Sequence, residues 1–190
     1  KEKKTAGNFT IGGKAKNLFR LLDTGMPVPP FVVIPQEVLA SIVPQEIQVE
    51  GRERIAEFIS QTDIPCSVVE DITAALPGTG YFSVRSSAVD EDGNELSFAG
   101  QFESFLYVTK NNLAEKIKLV WRSAFSKRVT AYRDSNHLPH QFGLAVIIQE
   151  MIDADAAGVG FGINPVNGNK DEKFISSVFG LGEGIVSGEL

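Results

Sequence analysis

The sequence contains 190 residues, of which 43% are hydrophobic and 22% are charged. This length and composition predict a globular protein with one sizeable domain or two small ones. The formal net charge of −6 argues against general nucleic-acid binding, because a phosphate backbone needs clustered lysine and arginine. One cysteine excludes an internal disulfide and a cysteine-based zinc site. No apolar run in the sequence is long enough to cross a membrane, and we expect a cytoplasmic protein.

The first half of the sequence predicts mainly helices. A helix is predicted to begin near Lys14, because apolar residues follow at helical spacing, and to end at Gly25 and Pro27. The short apolar run Phe31–Ile34 predicts a buried strand. Further helices are predicted at 36–43, 52–61 and 67–76.

The middle of the sequence predicts two strands and a long helix. The strands are predicted at Tyr81–Ser87 and Ser104–Val108, on either side of an acidic loop, DEDGNELS. Asn112 stands three residues before a glutamate, which is typical of a helix N-cap. The apolar stripe behind it, which includes the single tryptophan, predicts a helix extending toward Tyr132 with a bend near Ser126.

The last third predicts strands, because β-branched and aromatic runs alternate with turns. The runs are LAVIIQEMI, GVGFGI and FISSVFG. The predicted fold class is therefore α+β, with a helix-rich part to about residue 137 followed by a mainly antiparallel sheet. Residues 1–137 and 138–190 are possible subdomains. Because GLGEGIVSGEL closes the sequence without a further strand or helix, we expect a fragment of a larger domain.

The stretch GNFTIGGKAK, residues 7–16, resembles a phosphate-binding loop of the Walker type but does not fit it. That motif requires a lysine directly after the second glycine, then a serine or threonine that binds magnesium. Here Gly13 intrudes before Lys14, and Ala15 takes the place of the hydroxyl residue. The preceding residues, KEKKTA, also make a poor strand.

Two interpretations of Lys14 remain. It can be a solvated residue in the first turn of a helix, although a cation there opposes the helix dipole by a few tenths of a kcal/mol to about 1 kcal/mol. Alternatively, Lys14 and free backbone N–H groups at the helix start converge on an anion, which reverses the sign of that interaction.

Arg85 lies within the apolar strand VRSSA. A guanidinium stays charged and is unfavourable to bury without an anion. The anion can be a carboxylate from the nearby acidic residues 90–92, forming a structural ion pair, or the phosphate of a ligand held bidentately.

Three other motifs carry weaker signals. QEMI, at Gln149–Ile152, is compatible with a hinge strand that contacts an adenine edge, and equally with any strand meeting a turn. GLGEG near the end is compatible with a phosphate contact or a tight turn. His137 and His140 are predicted to lie in a surface loop, because no carboxylate or cysteine is arranged around them.

Seven motifs in order resemble the N-terminal nucleotide-binding domain of the phosphoenolpyruvate synthase and pyruvate phosphate dikinase family, which is shared with rifamycin phosphotransferases. The motifs are GGKAKNL, GMPVPPFVVIP, VRSSAVDEDGNELSFAGQFESFLYV, VWRSAFSKRVTAYR, VIIQEMI, GVGFGINPVNG and GLGEGIVSGEL. Two positions depart from the family pattern: Ala15-Lys16 replaces a smaller pair, and Gly162 replaces a hydroxyl residue.

The resemblance implies an ATP-grasp fold, with nucleotide held between two α+β lobes. By position, Lys14 and Arg85 would hold the phosphates of ATP and act in catalysis. The other implied nucleotide-binding residues are Gly100, Ser104 and Phe105 on the phosphate side, Gln149 and Met151 at the adenine hinge, and Glu183 near the ribose.

The resemblance also implies a reaction. ATP would phosphorylate a histidine on a separate swivelling domain, and that histidine would pass phosphate to pyruvate bound by a further domain. The Mg²⁺ ligands are expected beyond the end of this sequence, as are those two domains, so the fragment alone is expected to be inactive. The alternatives are a rifamycin phosphotransferase, a non-catalytic nucleotide-binding or regulatory module, and a purely structural α+β domain.

Overall fold

A computed structural model of the chain describes residues 9–78, 80–88, 102–138 and 142–187. The chain divides into two compact units, Lys1–Met151 and Ile152–Leu190. Each unit is described below by itself.

The first unit is built on a four-stranded antiparallel sheet. Its strands are β1 (Phe31–Ile34), β2 (Phe82–Ser87), β3 (Ser104–Val108) and β4 (Ala145–Glu150). Their spatial order is β1-β4-β2-β3, with every neighbouring pair antiparallel. The last strand in sequence therefore lies in the interior of the sheet, between β1 and β2.

Helices flank this sheet. They are α1 (Gly12–Asp23), α2 (Gln36–Ile42), α3 (Gln45–Glu50), α4 (Arg52–Gln61), α5 (Cys66–Ala75), α6 (Leu113–Ser123) and α7 (Lys127–Ser135), with a 3-10 helix at Lys110–Asn112. Most of the predicted helices and strands of this unit are confirmed within a residue or two. The short α3 was missed, because six residues hold too few apolar positions to show a helical period.

The core lies on one face of the sheet. Side chains alternate between the two faces along a strand, so Phe82 and Val84 of β2 share a face with Val146 and Ile148 of β4. All four are buried, and they pack in one cluster with residues of α2, α4, α5 and α6. We call this the helix-covered face.

The opposite face of the sheet carries the polar side chains. Ser83, Arg85 and Ser87 alternate with the core residues of β2, and Gln149 and Ile147 lie across from them on β4. We call this the Arg85 face. It is contacted by α1, whose Phe19 ring packs edge-on against that of Phe31, with ring centroids 5.0 Å apart.

Two details around α6 differ from the sequence prediction. Asn112 is the N-cap residue of α6, but its side chain forms no capping hydrogen bond to that helix. Its side-chain oxygen instead accepts a hydrogen bond from the Thr109 N–H at 2.8 Å and forms a capping box for the 3-10 helix. The long predicted helix is divided at residues 124–126, because Ser126 caps a new helix, α7, by accepting from the Val129 N–H at 3.3 Å.

The second unit contains a two-stranded antiparallel sheet, β5 (Ala156–Phe161) and β6 (Phe174–Phe179), followed by α8 (Glu183–Ser187). The loop between the strands is held by Glu172, whose carboxylate accepts hydrogen bonds from the side chains of Asn164, Asn169 and Asn167 at 2.6, 3.0 and 3.2 Å. These bonds, led by that from Asn164, lower the pKa of Glu172, because they favour its charged form.

The predicted class, a mixture of helices and antiparallel sheet, is confirmed. The two units meet in sequence after Met151, whereas the sequence suggested a division after residue 137. The later position follows from pairing: β4 forms hydrogen bonds with both β1 and β2 and so belongs to the first unit. Within the described part of the chain, no helix combines the length and apolar character needed to cross a membrane.

Candidate functional site

Arg85 is the most unusual residue of the Arg85 face. Its side chain is half-buried, and its Nε is buried without a hydrogen-bond partner. Burial lowers the pKa of the guanidinium, which nonetheless stays protonated at neutral pH. Among the described residues, no carboxylate forms an ion pair with Arg85. The acidic residues 90–92, the predicted structural partners, lie outside the described residues.

Gln149 is the side chain that holds Arg85. Its Oε1 accepts a hydrogen bond from a terminal nitrogen of Arg85, and its Nε2 donates to the Pro29 carbonyl at 3.1 Å. Gln149 is only 6% exposed, so its amide is enclosed between these two partners. The Gln149 side chain thus orients the arginine, and a contact of this strand with an adenine edge stays a prediction.

The residues after Gln149 use their backbone donors within the protein. The Glu150 N–H donates to the Pro30 carbonyl and the Met151 N–H to the Tyr81 carbonyl, both at 3.0 Å. The Met151 sulfur in turn accepts from the Tyr107 N–H at 3.0 Å. An adenine bound beside Met151 would therefore have to be recognised by atoms other than this N–H.

The start of α1 is fastened to the end of β2. The Gly13 N–H donates to the Ala88 carbonyl at 3.1 Å, and the Ala15 N–H donates to the Ser87 hydroxyl at 3.1 Å. Two of the first four N–H groups of the helix are thus bonded to the protein. Fewer backbone N–H groups than predicted are therefore free to bind an anion at the start of α1.

This contact explains the glycine at position 12. Gly12 has a φ of +70°, in the left-handed region that glycine adopts without steric cost. A Cβ at this position would lie 2.3 Å from the Ser87 carbonyl oxygen. The backbone of α1 therefore approaches β2 more closely than a side chain would permit.

These contacts bring Lys14 to the same face of the sheet as Arg85. Lys14 is exposed and lies next to Ala15, which is completely buried against Ser87. Ser87 lies two residues beyond Arg85 on the same side of β2, a separation of about 7 Å along the strand. The backbone of Lys14 therefore lies beside the end of the strand that carries Arg85.

Ser104 and Phe105 lie on opposite faces of the sheet. Ser104 pairs with Arg85, is exposed, and so belongs to the Arg85 face. Phe105 pairs with Val84 and packs against the core, with the Lys116 ammonium 5.0 Å from its ring centroid. The Phe105 side chain therefore points away from the Arg85 face, because successive side chains of a strand point to opposite faces, and a nucleotide contact of Phe105 stays a prediction.

The sequence was compared with known protein families. Residues 9–190 match the family described as the pyruvate phosphate dikinase, AMP/ATP-binding domain. The chain belongs to this family. The resemblance deduced from the ordered motifs is thereby confirmed.

Relatives of this AMP/ATP-binding domain include proteins with different names. The chain is 35% identical to a phosphoenolpyruvate synthase of Aeropyrum pernix, over 95% of the chain and 26% of the relative. It is 36% identical to the prodigiosin synthesizing transferase PigC of Serratia marcescens, over 98% and 22%. It is 33% identical to a rifampicin phosphotransferase of Bacillus cereus, over 95% and 24%. The chain thus spans about a quarter of the length of these relatives.

The structure does not test two further predicted residues of the AMP/ATP-binding domain. Gly100 lies outside the described residues. Glu183 is the first residue of α8 in the second unit and is exposed, where a carboxylate also stabilises the positive end of the helix dipole.

Two residues that contact this site were not predicted from the sequence. Ser83 could have been found from strand alternation, since it stands two positions before Arg85. Pro29, whose carbonyl holds Gln149, gave no signal, because a contact across 120 residues depends on the order of strands in the sheet.

Proposed function

We propose that this chain is the ATP-binding portion of a phosphoenolpyruvate synthase-like phosphotransferase, in which Lys14 and Arg85 hold the phosphates of ATP. The observation that carries the proposal is Arg85, a half-buried guanidinium with an unpartnered Nε and no paired carboxylate in the described part of the chain. A triphosphate supplies both the acceptors and the negative charge that such a group requires.

The two cations have a direct chemical role in this proposal. Charge on the transferred phosphoryl group is spread over its non-bridging oxygens, and fixed positive groups stabilise it. Arg85 is held in place by Gln149 and can bind two oxygens as a planar fork, whereas Lys14 supplies a compact charge on a flexible stem. Ser104 lies beside Arg85 and adds a hydroxyl.

Other parts of the proposal derive from the family resemblance. An ATP-grasp arrangement is proposed, with Gly100 approaching the phosphates, Met151 at the adenine hinge and Glu183 near the ribose. We also propose that residues 1–190 form the N-terminal part of one ATP-binding domain acting in the cytoplasm.

Magnesium is expected with ATP. Among the described residues, no group of three or more histidine, cysteine, aspartate or glutamate side chains could hold a metal ion. One or two carboxylates together with the phosphates of ATP commonly suffice to bind Mg²⁺.

The acceptor of the phosphoryl group is proposed to be pyruvate, through a phosphohistidine domain of the parent protein. Relatives named as a phosphoenolpyruvate synthase and as a rifampicin phosphotransferase match this chain at similar identity. If pyruvate is the acceptor, the parent protein incubated with ATP should consume pyruvate and leave rifampicin unmodified. Phosphorylation of rifampicin but not pyruvate would replace this acceptor and leave the ATP site intact.

ATP binding is tested by measuring the melting temperature of the parent protein with and without Mg-ATP. ATP at about 100 times its dissociation constant should stabilise the folded state by roughly 2.7 kcal/mol. For a domain of this size that is a rise of roughly 5 to 10 °C, at about 2–4 °C per kcal/mol. Arg85→Met and Lys14→Met should each weaken ATP binding about 10- to 100-fold, because a hydrogen bond to a charged group contributes about 1.5–3 kcal/mol.

The matched control is Arg20→Met, which removes an equal charge from the last turn of α1. Arg20 is exposed and donates to Asn17 on its own helix at 3.1 Å, so its loss should leave ATP affinity within about twofold. If Arg85→Met destabilises the protein without changing ATP affinity, Arg85 is a partner of an internal carboxylate and the proposal is wrong.

A further inference from the structure

Two tyrosines form an exposed aromatic pair at one end of the four-stranded sheet. Tyr81 directly precedes β2, and Tyr107 is the fourth residue of β3. Their rings pack edge-on with centroids 6.2 Å apart, yet Tyr81 is 48% exposed and Tyr107 is 58% exposed. Large apolar side chains that are exposed together, rather than scattered singly, are typical of a surface that binds another group.

The backbone of Tyr107 is strained. Its φ is +53°, in the left-handed region that is unfavourable for a bulky side chain. The register of the β2–β3 ladder shifts beside it, between Phe82 and Val84, and the Tyr107 N–H donates to the Met151 sulfur at 3.0 Å. Backbone strain of this kind occurs most often at binding and catalytic sites, where the surrounding structure maintains it.

The tyrosine pair lies on the Arg85 face. Tyr81 stands four residues before Arg85, so strand alternation places both side chains on the same side of β2, roughly 13 Å apart along the strand. Met151 lies opposite Tyr81, since its N–H donates to the Tyr81 carbonyl at 3.0 Å. Met151 is also two residues beyond Gln149 and therefore shares this face. The face thus carries a cation at one position and aromatic rings farther along.

This spacing matches the chemistry of a nucleoside triphosphate. In an extended nucleotide the outer phosphates are separated from the base by the inner phosphate and the ribose. A nucleotide whose outer phosphates bind Arg85 and which follows β2 therefore brings its base to the tyrosine pair. A base needs a flat partner for its π-face, and an exposed tyrosine ring supplies one.

We propose that the Tyr81 ring is the surface on which the base of the bound nucleotide stacks, and that Tyr107 positions this ring. This inference rests on the proposed ATP function and names the side chains that bind the base. Stacking requires none of the backbone donors of Glu150 and Met151, which are already bonded within the sheet. It strengthens the binding of a nucleotide relative to its phosphates alone.

The test compares ATP with inorganic tripolyphosphate, which has the phosphates but no base. Both are titrated calorimetrically into the parent protein in the presence of Mg²⁺. Tyr81→Ala should weaken ATP about 5- to 150-fold, as expected for the loss of one base–aromatic stack. The same variant should leave tripolyphosphate affinity within about twofold of the wild type. Tyr81→Phe, the matched control, keeps the ring and should bind ATP within about twofold of the wild type.

Tyr107 is tested as a positioning residue. Asparagine adopts positive φ more readily than tyrosine, so Tyr107→Asn should not lower the melting temperature of the nucleotide-free protein. It should nonetheless weaken ATP about three- to tenfold, because the edge-on contact that orients the Tyr81 ring is lost. Tripolyphosphate affinity should stay unchanged. A residue with a purely structural role would not weaken ATP alone while stability is kept.

A selective loss of ATP affinity in Tyr81→Ala, restored in Tyr81→Phe, supports the inference. Unchanged ATP affinity in Tyr81→Ala, or an equal loss for tripolyphosphate, overturns it. A lower melting temperature with unchanged ATP affinity also overturns it, because the rings are then covered by another part of the parent protein.

Arg85→Met separates this inference from the proposed function. That variant should weaken ATP and tripolyphosphate alike, since it removes a phosphate contact. If it does so while Tyr81→Ala has no effect, only the stacking of the base on Tyr81 is wrong. If the wild-type parent protein binds no ATP, both the proposed function and this inference are wrong.

Discussion

A guanidinium that enters a sheet carries five N–H groups, and Arg85 shows how few of them the described part of the protein satisfies. Gln149 accepts from one terminal nitrogen, while the Nε has no partner. Because Gln149 is itself fixed by Pro29, the arginine is oriented but not neutralised. An arginine that is held in position and keeps its unpaired positive charge is suited to binding an anion.

Gln149 should control both the position and the charge of the site. In Gln149→Leu the arginine and the Pro29 carbonyl each lose a partner, so we expect the free energy of unfolding to fall by about 1–3 kcal/mol and ATP affinity to fall roughly tenfold. In Gln149→Glu a carboxylate pairs with Arg85 but no longer donates to the Pro29 carbonyl. Stability should therefore fall less than in Gln149→Leu, while ATP affinity falls at least about tenfold. Urea denaturation and calorimetric titration measure the two quantities.

The two substitutions therefore separate stability from ATP affinity. Gln149→Leu should lower both, whereas Gln149→Glu should lower mainly the affinity. Contact between Arg85 and the phosphates would be contradicted by two results together. One is that Gln149→Leu binds less ATP only because part of the protein is unfolded. The other is that Gln149→Glu binds ATP normally. Unchanged ATP affinity in both would mean that Gln149 supports the sheet alone.

At the scale of elements, the contact between α1 and β2 determines where Lys14 lies. The helix has no acidic residue in its first turn and no side-chain cap, so its first N–H groups depend on other partners. Gly13 and Ala15 find them at the end of β2. The helix start is thereby placed beside the strand that carries Arg85.

Gly12→Ala tests this contact, with Gly25→Ala as its matched control. Both glycines have positive φ, +70° and +78°, so each substitution should cost about 1–2 kcal/mol in backbone strain. A Cβ at Gly25 would meet nothing within 4 Å, whereas one at Gly12 would meet the Ser87 carbonyl oxygen at 2.3 Å. We expect Gly12→Ala to destabilise the protein by at least about 1 kcal/mol more than Gly25→Ala in urea denaturation.

The displacement of α1 in Gly12→Ala should also weaken ATP binding, since Lys14 moves with the helix, whereas Gly25→Ala should leave ATP binding unchanged. Equal stability losses in the two variants would show that α1 does not depend on its close approach to β2.

At the scale of the whole molecule, the two units differ in how much apolar surface they enclose. The first has a four-stranded sheet with one face buried by helices. The second has two strands, and several of its large apolar side chains are exposed, among them Ile175 at 78% and Phe179 at 96%. An isolated two-stranded sheet is marginally stable in water at best.

Residues 1–151 and 152–190 expressed separately should therefore behave differently. We expect the first to show a cooperative thermal transition, because its core is formed within those residues. The second should lack stable strand signal in circular dichroism and protected amides in hydrogen exchange. A cooperative transition in the isolated 152–190 segment would contradict this division of stability.

Much of the fold was predictable from local patterns. The helical spacing of apolar residues predicted α1 and α6, and the β-branched runs predicted β1 and β4. Each pattern follows from the way a segment buries its apolar side chains. The ordered motifs also identified the family, because they recur in the same sequence order. These features depend on residues close together in the chain, so the sequence contains them directly.

The sequence by itself thus determined the class of fold and the family, and it predicted Lys14 and Arg85 as the cations that bind phosphate. Only the tertiary structure decided that Gln149 holds Arg85, that the side chain of Phe105 faces the core, and that the rings of Tyr81 and Tyr107 pack together. The physical reason is that hydrogen-bond partners and strand neighbours are set by the order β1-β4-β2-β3. That order brings Gln149 into hydrogen-bond contact with Pro29 and with Arg85, which lie 120 and 64 residues away in the sequence. No local pattern predicts contacts over such separations.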